Sequence, residues 1–424
     1  MKIVLISKHA KTGGAAIAAH RLMEVLRENS IDATMLVQEG GDQQEGVFST
    51  GDGLLKRWAN LLRFITERLV FLRHEKSRNI RFLYSLGNTG ENLLRNRHVR
   101  EADIIHLHWI NAGFLSLRSL KGLINSGKPL VWTFHDMWAF TGGCHYALDC
   151  EEYKRMCGSC PYLKKPGKRD LSHRIWKKKE KIFLNSKVTV VTPSNWLNEC
   201  TRSSSLLGHW DVRTIHNPFD QTLFRPLRRE DSCRNLGLDP EKKYILFGAA
   251  TVRNMLKGFD YFMEAVRLLQ QELEQDAGVE ILLFGKTKGD MEHLFPLKTN
   301  NITFTGSVQK IVDLYNVAHL FAIPSLQDNL PNTIIESMLC GTPVVGFKTG
   351  GIPEMIDHKK DGYLADYRSA RDLADGMKWI LMSDPYDSLS EAVRRAAIAR
   401  FSRERSAEQY VKLYRELVEK PGNP

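Results

Sequence analysis

Two carboxylates stand eight residues apart in the segment Pro324-Ser325-Leu326-Gln327-Asp328-Asn329-Leu330-Pro331-Asn332-Thr333-Ile334-Ile335-Glu336, one on each side of a helix start. Asp328 falls on the loop, where a carboxylate can accept hydrogen bonds from sugar hydroxyls. Glu336 points in from the helix and suits the diol of a ribose. Between them Leu330 to Thr333 supply backbone N–H groups at the positive end of a helix, an arrangement that suits a diphosphate. Near the start of the chain, Gly13 and Gly14 join a strand to a helix and can likewise bring N–H groups to a phosphate, although a tight turn explains them equally well. A third constellation is Cys144, Cys150, Cys157 and Cys160, with five, six and two residues between successive thiols. That spacing can close a tetrahedral thiolate site, and structural zinc is the leading reading: four thiolates leave no open position, so the ion would hold a loop rather than activate water. An iron–sulfur cluster or reduced free thiols are the alternatives.

The elements that must position these residues come from two α/β patterns in series. In the first half, Lys2 to Ser7 reads as a strand, Ala15 to Arg27 as a helix and Ile31 to Val37 as a second strand, which is a βαβ opening. Further apolar strands are expected at Asp103 to His108, Leu130 to Phe134 and Val188 to Thr192. After a break at His216 to Asp220 the pattern restarts, with strands at Tyr244 to Phe247, Glu280 to Phe284, Ile302 to Phe304, Leu320 to Ile323 and Pro343 to Gly346. Helical stretches such as Gly258 to Glu274 and Pro331 to Leu339 alternate with them. The expected boundary is near Pro226, giving a first domain of 1–226, a second of 227–402 and a last helix in 403–424 that packs back on the first domain. Two such domains leave a cleft, and ligands of these folds bind beyond the carboxyl ends of the strands.

Composition narrows the function. The 424 residues are 42% hydrophobic and 26% charged, enough for two or three ordinary cores. No apolar run approaches a membrane span and the opening MKIVLI is too short for a secretory signal, so a cytoplasmic protein is expected. The net charge of +11 is concentrated: 54–100 carries eleven basic against three acidic residues (+8) and 164–181 nine against two (+7), leaving about −4 elsewhere. Within an insertion at about 51–100, Leu54 to Leu72 has the spacing of an amphipathic basic helix. It either packs on its domain with a solvated basic face or attaches to an anionic membrane surface.

The stretch Pro324 to Glu354, with Gly341-Thr342-Pro343 and Thr349-Gly350-Gly351-Ile352-Pro353-Glu354, resembles the donor-site signature of the family-four retaining glycosyltransferases. The resemblance covers nearly the whole chain. It implies the GT-B fold, an α/β architecture of two facing Rossmann-like domains with an interdomain cleft. The family usually has two glutamates at the positions of Asp328 and Glu336. By the same resemblance His135 lies near the transferred sugar, Lys257-Gly258 places a cation on the donor diphosphate, Arg253 assists four residues earlier rather than the usual five, and Glu354 contacts the donor. The segment Trp132-Thr133-Phe134-His135-Asp136-Met137-Trp138 with the four cysteines is similar to a subgroup that includes the colanic-acid-type exopolysaccharide glycosyltransferases.

The function implied is transfer of a sugar, with retention, from a nucleotide-sugar donor to a lipid-linked glycan of bacterial exopolysaccharide, capsule or lipopolysaccharide, at the inner face of the cytoplasmic membrane. Lys257, Arg253 and the helix start would stabilise the departing diphosphate. No Asp-x-Asp pair is present, so no catalytic metal is expected. The rival readings are a sugar-nucleotide epimerase of the same architecture and a basic nucleic-acid-binding protein with a zinc site. The second leaves Asp328 to Glu354 unexplained, so no nucleic acid partner is expected.

Overall fold

The computed structural model describes residues 1–419 apart from 44, 252–253, 275–276, 287–291 and 304–306. Among them the chain forms two compact units, Met1–Pro218 with the segment after Arg403, and Phe219–Arg403.

The first unit is a seven-stranded parallel sheet. Its strands are β1 (Lys2–His9), β2 (Asp32–Glu39), β3 (Val47–Ser49), β4 (Ile104–Leu107), β5 (Leu130–Thr133), β6 (Thr189–Thr192) and β7 (Asp211–Thr214), in the order β3-β2-β1-β4-β5-β6-β7. Both faces are covered, which is why β1 reads as one apolar run: Ile3 and Leu5 enter one core with Leu22 and Leu26 of α1 (Gly14–Glu28), while Val4 and Ile6 enter the other with Leu107 and Trp132. The last helix, Arg403–Glu419, completes the first of these cores with Tyr410, Leu413 and Tyr414, and Glu416 pairs with Arg213 at 2.7 Å.

The second unit is a six-stranded parallel sheet of β8 (Lys243–Thr251), β9 (Val279–Lys286), β10 (Thr299–Ile302), β11 (Leu320–Ile323), β12 (Val344–Phe347) and β13 (Gly362–Ala365), ordered β10-β9-β8-β11-β12-β13. Leu246 and Ile245 again enter opposite cores. The units divide at Pro218/Phe219 rather than near Pro226. The reason is packing: Phe219 and Phe224 are buried in the second unit's core, and the Leu227 amide donates to Asn316 Oδ1 at 2.7 Å.

Three strands had no expectation, namely β3, β7 and β13, and all three are edges. β3 and β7 are short and only partly covered, and β13, though buried, is four residues opening on Gly362, so none carries the continuous apolar run of a central strand. Phe304, expected at the end of a strand, lies outside the described residues.

Each sheet reverses its winding direction once, between β1 and β4 in the first unit and between β8 and β11 in the second. Loops leaving the carboxyl ends of neighbouring strands diverge there, opening a crevice.

The insertion contradicts the simpler expectation for it. In α2 (Leu54–Leu72) the inward residues are Asn60, Glu67, Arg68 and Phe71, while Leu55 and Trp58 are 87% and 58% exposed. The helix therefore packs by its polar face and turns its apolar face outward.

Candidate functional site

In the second unit the crevice between β8 and β11 gathers the charged residues singled out by sequence. The turn after β8 ends at Lys257-Gly258, and Lys257 Nζ lies 2.5 Å from Asp328 Oδ2 on the loop after β11. Two glycines make this approach possible. Gly258 has φ +67°, and a Cβ there would lie 1.8 Å from the Pro324 carbonyl oxygen; Gly350, at φ +58°, would set one 1.9 Å from the Asp328 carbonyl oxygen. The Leu326 amide donates to the Leu256 carbonyl at 2.8 Å, and the Gly351 amide to the Asp328 carbonyl at 3.1 Å. Three loops are thus tied by their backbones round one ion pair. The Ser325 hydroxyl also reaches Asp328 Oδ2, at 3.4 Å.

The helix expected after this loop is Asn332–Leu339, with Pro331 as its N-cap. Asp328, Asn329, Leu330 and Pro331 are buried, while Asn332 and Thr333 are half-buried at its start. Glu336, one turn in, is buried with the Tyr315 hydroxyl 3.4 Å from its Oε2. Glu354 is half-buried in a short turn of helix, Ile352–Glu354, after β12. Arg253 lies outside the described residues.

In the first unit His135 follows β5, as the strand pattern requires, and it is not alone. His135 Nε2 is 3.0 Å from His108 Nδ1; the His108 ring packs against His106 at 4.4 Å; His106 is bracketed by the Tyr414 hydroxyl at 2.7 Å and Thr133 Oγ1 at 2.8 Å. Burial, reinforced by His135, pushes His106 down to about 3, and burial, against the attraction of Asp136, pushes His135 down to about 4. His108 is lowered as well, by burial and by its two neighbours. All three rings are neutral near pH 7, so His135 can offer a sugar a hydrogen bond without carrying charge. Beside it, burial opposes ionisation of Asp136, but His145 at 2.7 Å, the Trp138 amide at 2.8 Å and the Trp109 indole N–H at 3.0 Å hold its carboxyl below the ordinary value. Sequence reasoning missed His106, His108, Asp136 and His145. The signal was the pair His106-x-His108 at the end of β4, the strand beside β5.

Gly13, the N-cap of α1, has φ +90°, and a Cβ there meets nothing within 4 Å. Its need for glycine is conformational. Gly13 and Gly14 are both exposed. A cavity of about 670 Å³ opens at the β1/β4 crossover, bordered by Lys8, Glu39, Trp109, Phe64 and Arg57. Lys8 is buried there and donates to the Ala112 carbonyl at 2.6 Å.

Cys144, Cys150, Cys157 and Cys160 line one small cavity of about 20 Å³. As the side chains stand, no three His, Cys, Asp or Glu residues among those described are arranged to hold a metal ion. The Cys157 sulfur accepts from the Gly142 amide at 3.1 Å. Burial pushes the thiols up, Cys144 to about 11 and Cys157 to about 12. Lys179, fully buried below them, donates to the Thr141 carbonyl at 3.0 Å.

Two doubly wound parallel sheets in one chain, each with polar residues beyond the carboxyl ends of its strands, define the GT-B fold class. The same fold is found in HepE from Anabaena, solved with UDP-glucose: the TM-score is 0.64 at 16% identity, over 98% of this chain and all of that one. Residues 12–223, half of the chain, match the family described as Glycosyltransferase Family 4, and residues 242–383 match Glycosyl transferases group 1. The chain belongs to glycosyltransferase family 4. It is 23% identical over 409 residues to a D-inositol 3-phosphate glycosyltransferase of Pseudarthrobacter chlorophenolicus, covering 91% of this chain and 87% of that one. To WcaC of Escherichia coli, described as a colanic acid biosynthesis glycosyl transferase, it is 24% identical over 74% of this chain and 76% of that one.

Proposed function

We propose that this glycosyltransferase moves a sugar, with retention, from a nucleoside diphosphate donor held by the second unit to a lipid-linked glycan held by the first. The product would belong to a bacterial exopolysaccharide, capsule or lipopolysaccharide, built on the cytoplasmic side of the membrane. The observation that carries the reading is the Lys257–Asp328 pair at the β8/β11 crossover, one turn from the start of the helix Asn332–Leu339. There a diphosphate meets a cation and a positive helix end, with Glu336 one turn further for a ribose diol. The UDP-glucose in HepE and the colanic acid role of WcaC support the classes of donor and acceptor.

In the reaction the acceptor hydroxyl oxygen forms a bond to the anomeric carbon on the face from which the phosphate oxygen departs. That oxygen takes the hydroxyl proton, and Lys257 stabilises the negative charge left on the diphosphate. Neutral His135 holds a sugar hydroxyl. No metal enters the scheme, since the lysine and the helix end supply the positive charge. Binding and hydrolysis of UDP-, GDP- and dTDP-sugars, with and without EDTA, test it. One donor should bind regardless of EDTA and be lost in Glu336→Ala; folded protein without affinity for any of them overturns the reading.

The four-cysteine loop holds a structural zinc ion in this proposal, the support being that all four cysteines line one small cavity, where their thiols would have to turn inward to bind it. The ion would fix the segment that follows His135. Metal analysis of purified protein should find one zinc per chain, released on titrating the thiols. Metal-free, folded protein with four reactive thiols sinks it.

A further inference from the structure

A helix that turns its polar side inward needs a reason on both sides. Inward, α2 is held by charge: Glu67 Oε1 accepts from the Leu86 amide at 2.7 Å, and Arg68 Nη1 donates to the Arg81 and Tyr84 carbonyls at 2.5 and 3.0 Å. Glu67 and Arg68 also pair with each other at 3.1 Å. The loop after β4 presses close beneath, where Gly113 at φ +82° would place a Cβ 2.9 Å from the Phe64 amide nitrogen. These bonds fix the rotation of the helix about its axis.

Outward, at 100° per residue, Leu55, Trp58, Leu62, Ile65, Leu69 and Leu72 fall within an arc of roughly 100° of the circumference. Every one of them is exposed, and Phe82 beside them is 68% exposed. This is the reverse of a helix that helps a core, and a contiguous apolar stripe in water marks an interaction surface. Its flanks carry one sign of charge. Lys56 and Arg57 are exposed on either side of the stripe and Arg73 follows the last turn, while Arg63 is half-buried and pairs inward with Glu91 at 3.3 Å and the helix's one acid, Glu67, is buried against the domain.

We propose that α2 is a membrane-docking surface that lies in the interface of an anionic bilayer, with its apolar stripe among the acyl chains and the exposed Lys56, Arg57 and Arg73 on the headgroup phosphates. Charge complementarity selects the occupant: a second copy of this chain would set these cations against their own equivalents. No helix among the described residues is long and apolar enough to cross a membrane. The same helix gives Arg57, Leu61 and Phe64 to the wall of the 670 Å³ cavity. Docking therefore brings that cavity to the bilayer surface, where, resting on the proposed lipid-linked acceptor, a glycan carried by a lipid would enter it.

Co-sedimentation of the full chain with phosphatidylglycerol/phosphatidylcholine vesicles tests this, against pure phosphatidylcholine. Binding is expected to the anionic vesicles, weakened at least tenfold in Leu55→Ser/Trp58→Ser/Leu62→Ser, whose replaced side chains are exposed and whose circular dichroism should match wild type. Neutralising Lys56→Gln and Arg57→Gln should weaken it about fivefold per residue and remove the preference for anionic lipid. No binding to anionic vesicles overturns the proposal, as does a stable dimer that the triple variant dissolves. Vesicle binding is read without any sugar substrate, so failure of the transferase reading would leave this result standing.

Discussion

The Lys257 ammonium sits 2.5 Å from the Asp328 carboxylate across the β8/β11 crossover, held there by two glycines: a Cβ on Gly258 would collide with the Pro324 carbonyl at the base of the Asp328 loop, and one on Gly350, after β12, with the Asp328 carbonyl itself. The cation proposed for the diphosphate is thus already oriented by the acid proposed for the sugar. Lys257→Ala should lower kcat by about 10²–10³ with the fold retained, the size expected on removing one stabiliser of developing charge. Asp328→Asn should lower kcat less than Lys257→Ala, because the cation remains. A double-mutant cycle on kcat/KM reads the coupling, and strict additivity would show that the pair does not act together.

Gly258→Ala tests the positioning. The new Cβ would meet the Pro324 carbonyl oxygen at 1.8 Å in a left-handed backbone, so about 1–3 kcal/mol of stability should be lost through backbone strain. Denaturant unfolding measures it. Gly13→Ala, which meets only open space, should cost less.

The histidine chain makes stability depend on pH. His106 and His135 are depressed from 6.5 to about 3 and about 4, so below pH 6.5 the unfolded chain takes up protons that the folded chain refuses. Their stabilising contribution is complete above pH 6.5 and is lost as pH falls towards 4. Each proton contributes a slope of about 1.4 kcal/mol per pH unit, and His106→Gln should reduce the slope by about one proton. Chemical unfolding between pH 7.5 and 4.5 gives the value.

Tyr414→Phe removes the hydroxyl 2.7 Å from buried His106 Nδ1. Leaving that nitrogen unpaired should destabilise the first unit by about 1–3 kcal/mol. Truncation before Arg403 should do far more, since Tyr410 and Leu413 also leave the core. Thermal unfolding of both variants checks the order.

Strands buried on both faces announce themselves as apolar runs, so the central elements of both sheets were legible, and so was the loop from Asp328 to Glu336, whose acids and helix start are neighbours in the chain. The edge strands β3, β7 and β13 were not, because three or four residues carry little pattern. The domain boundary was misplaced by eight residues because Phe219 and Phe224 look like linker until the core they fill is seen.

What sequence alone determined here is local: the order of strands and helices, the glycines at turns, and which residues share one loop. Tertiary structure decided what depends on residues far apart in the chain. His106 meets Tyr414 across 308 positions, Lys257 meets Asp328 across 71, and Glu67 finds amides at Leu86 and Gly87. The last case shows the physical reason most directly. A periodic pattern tells that a helix has two unlike faces, but the side that turns inward is set by the bonds waiting beneath it, and for α2 buried carbonyls and amides outweighed leucines.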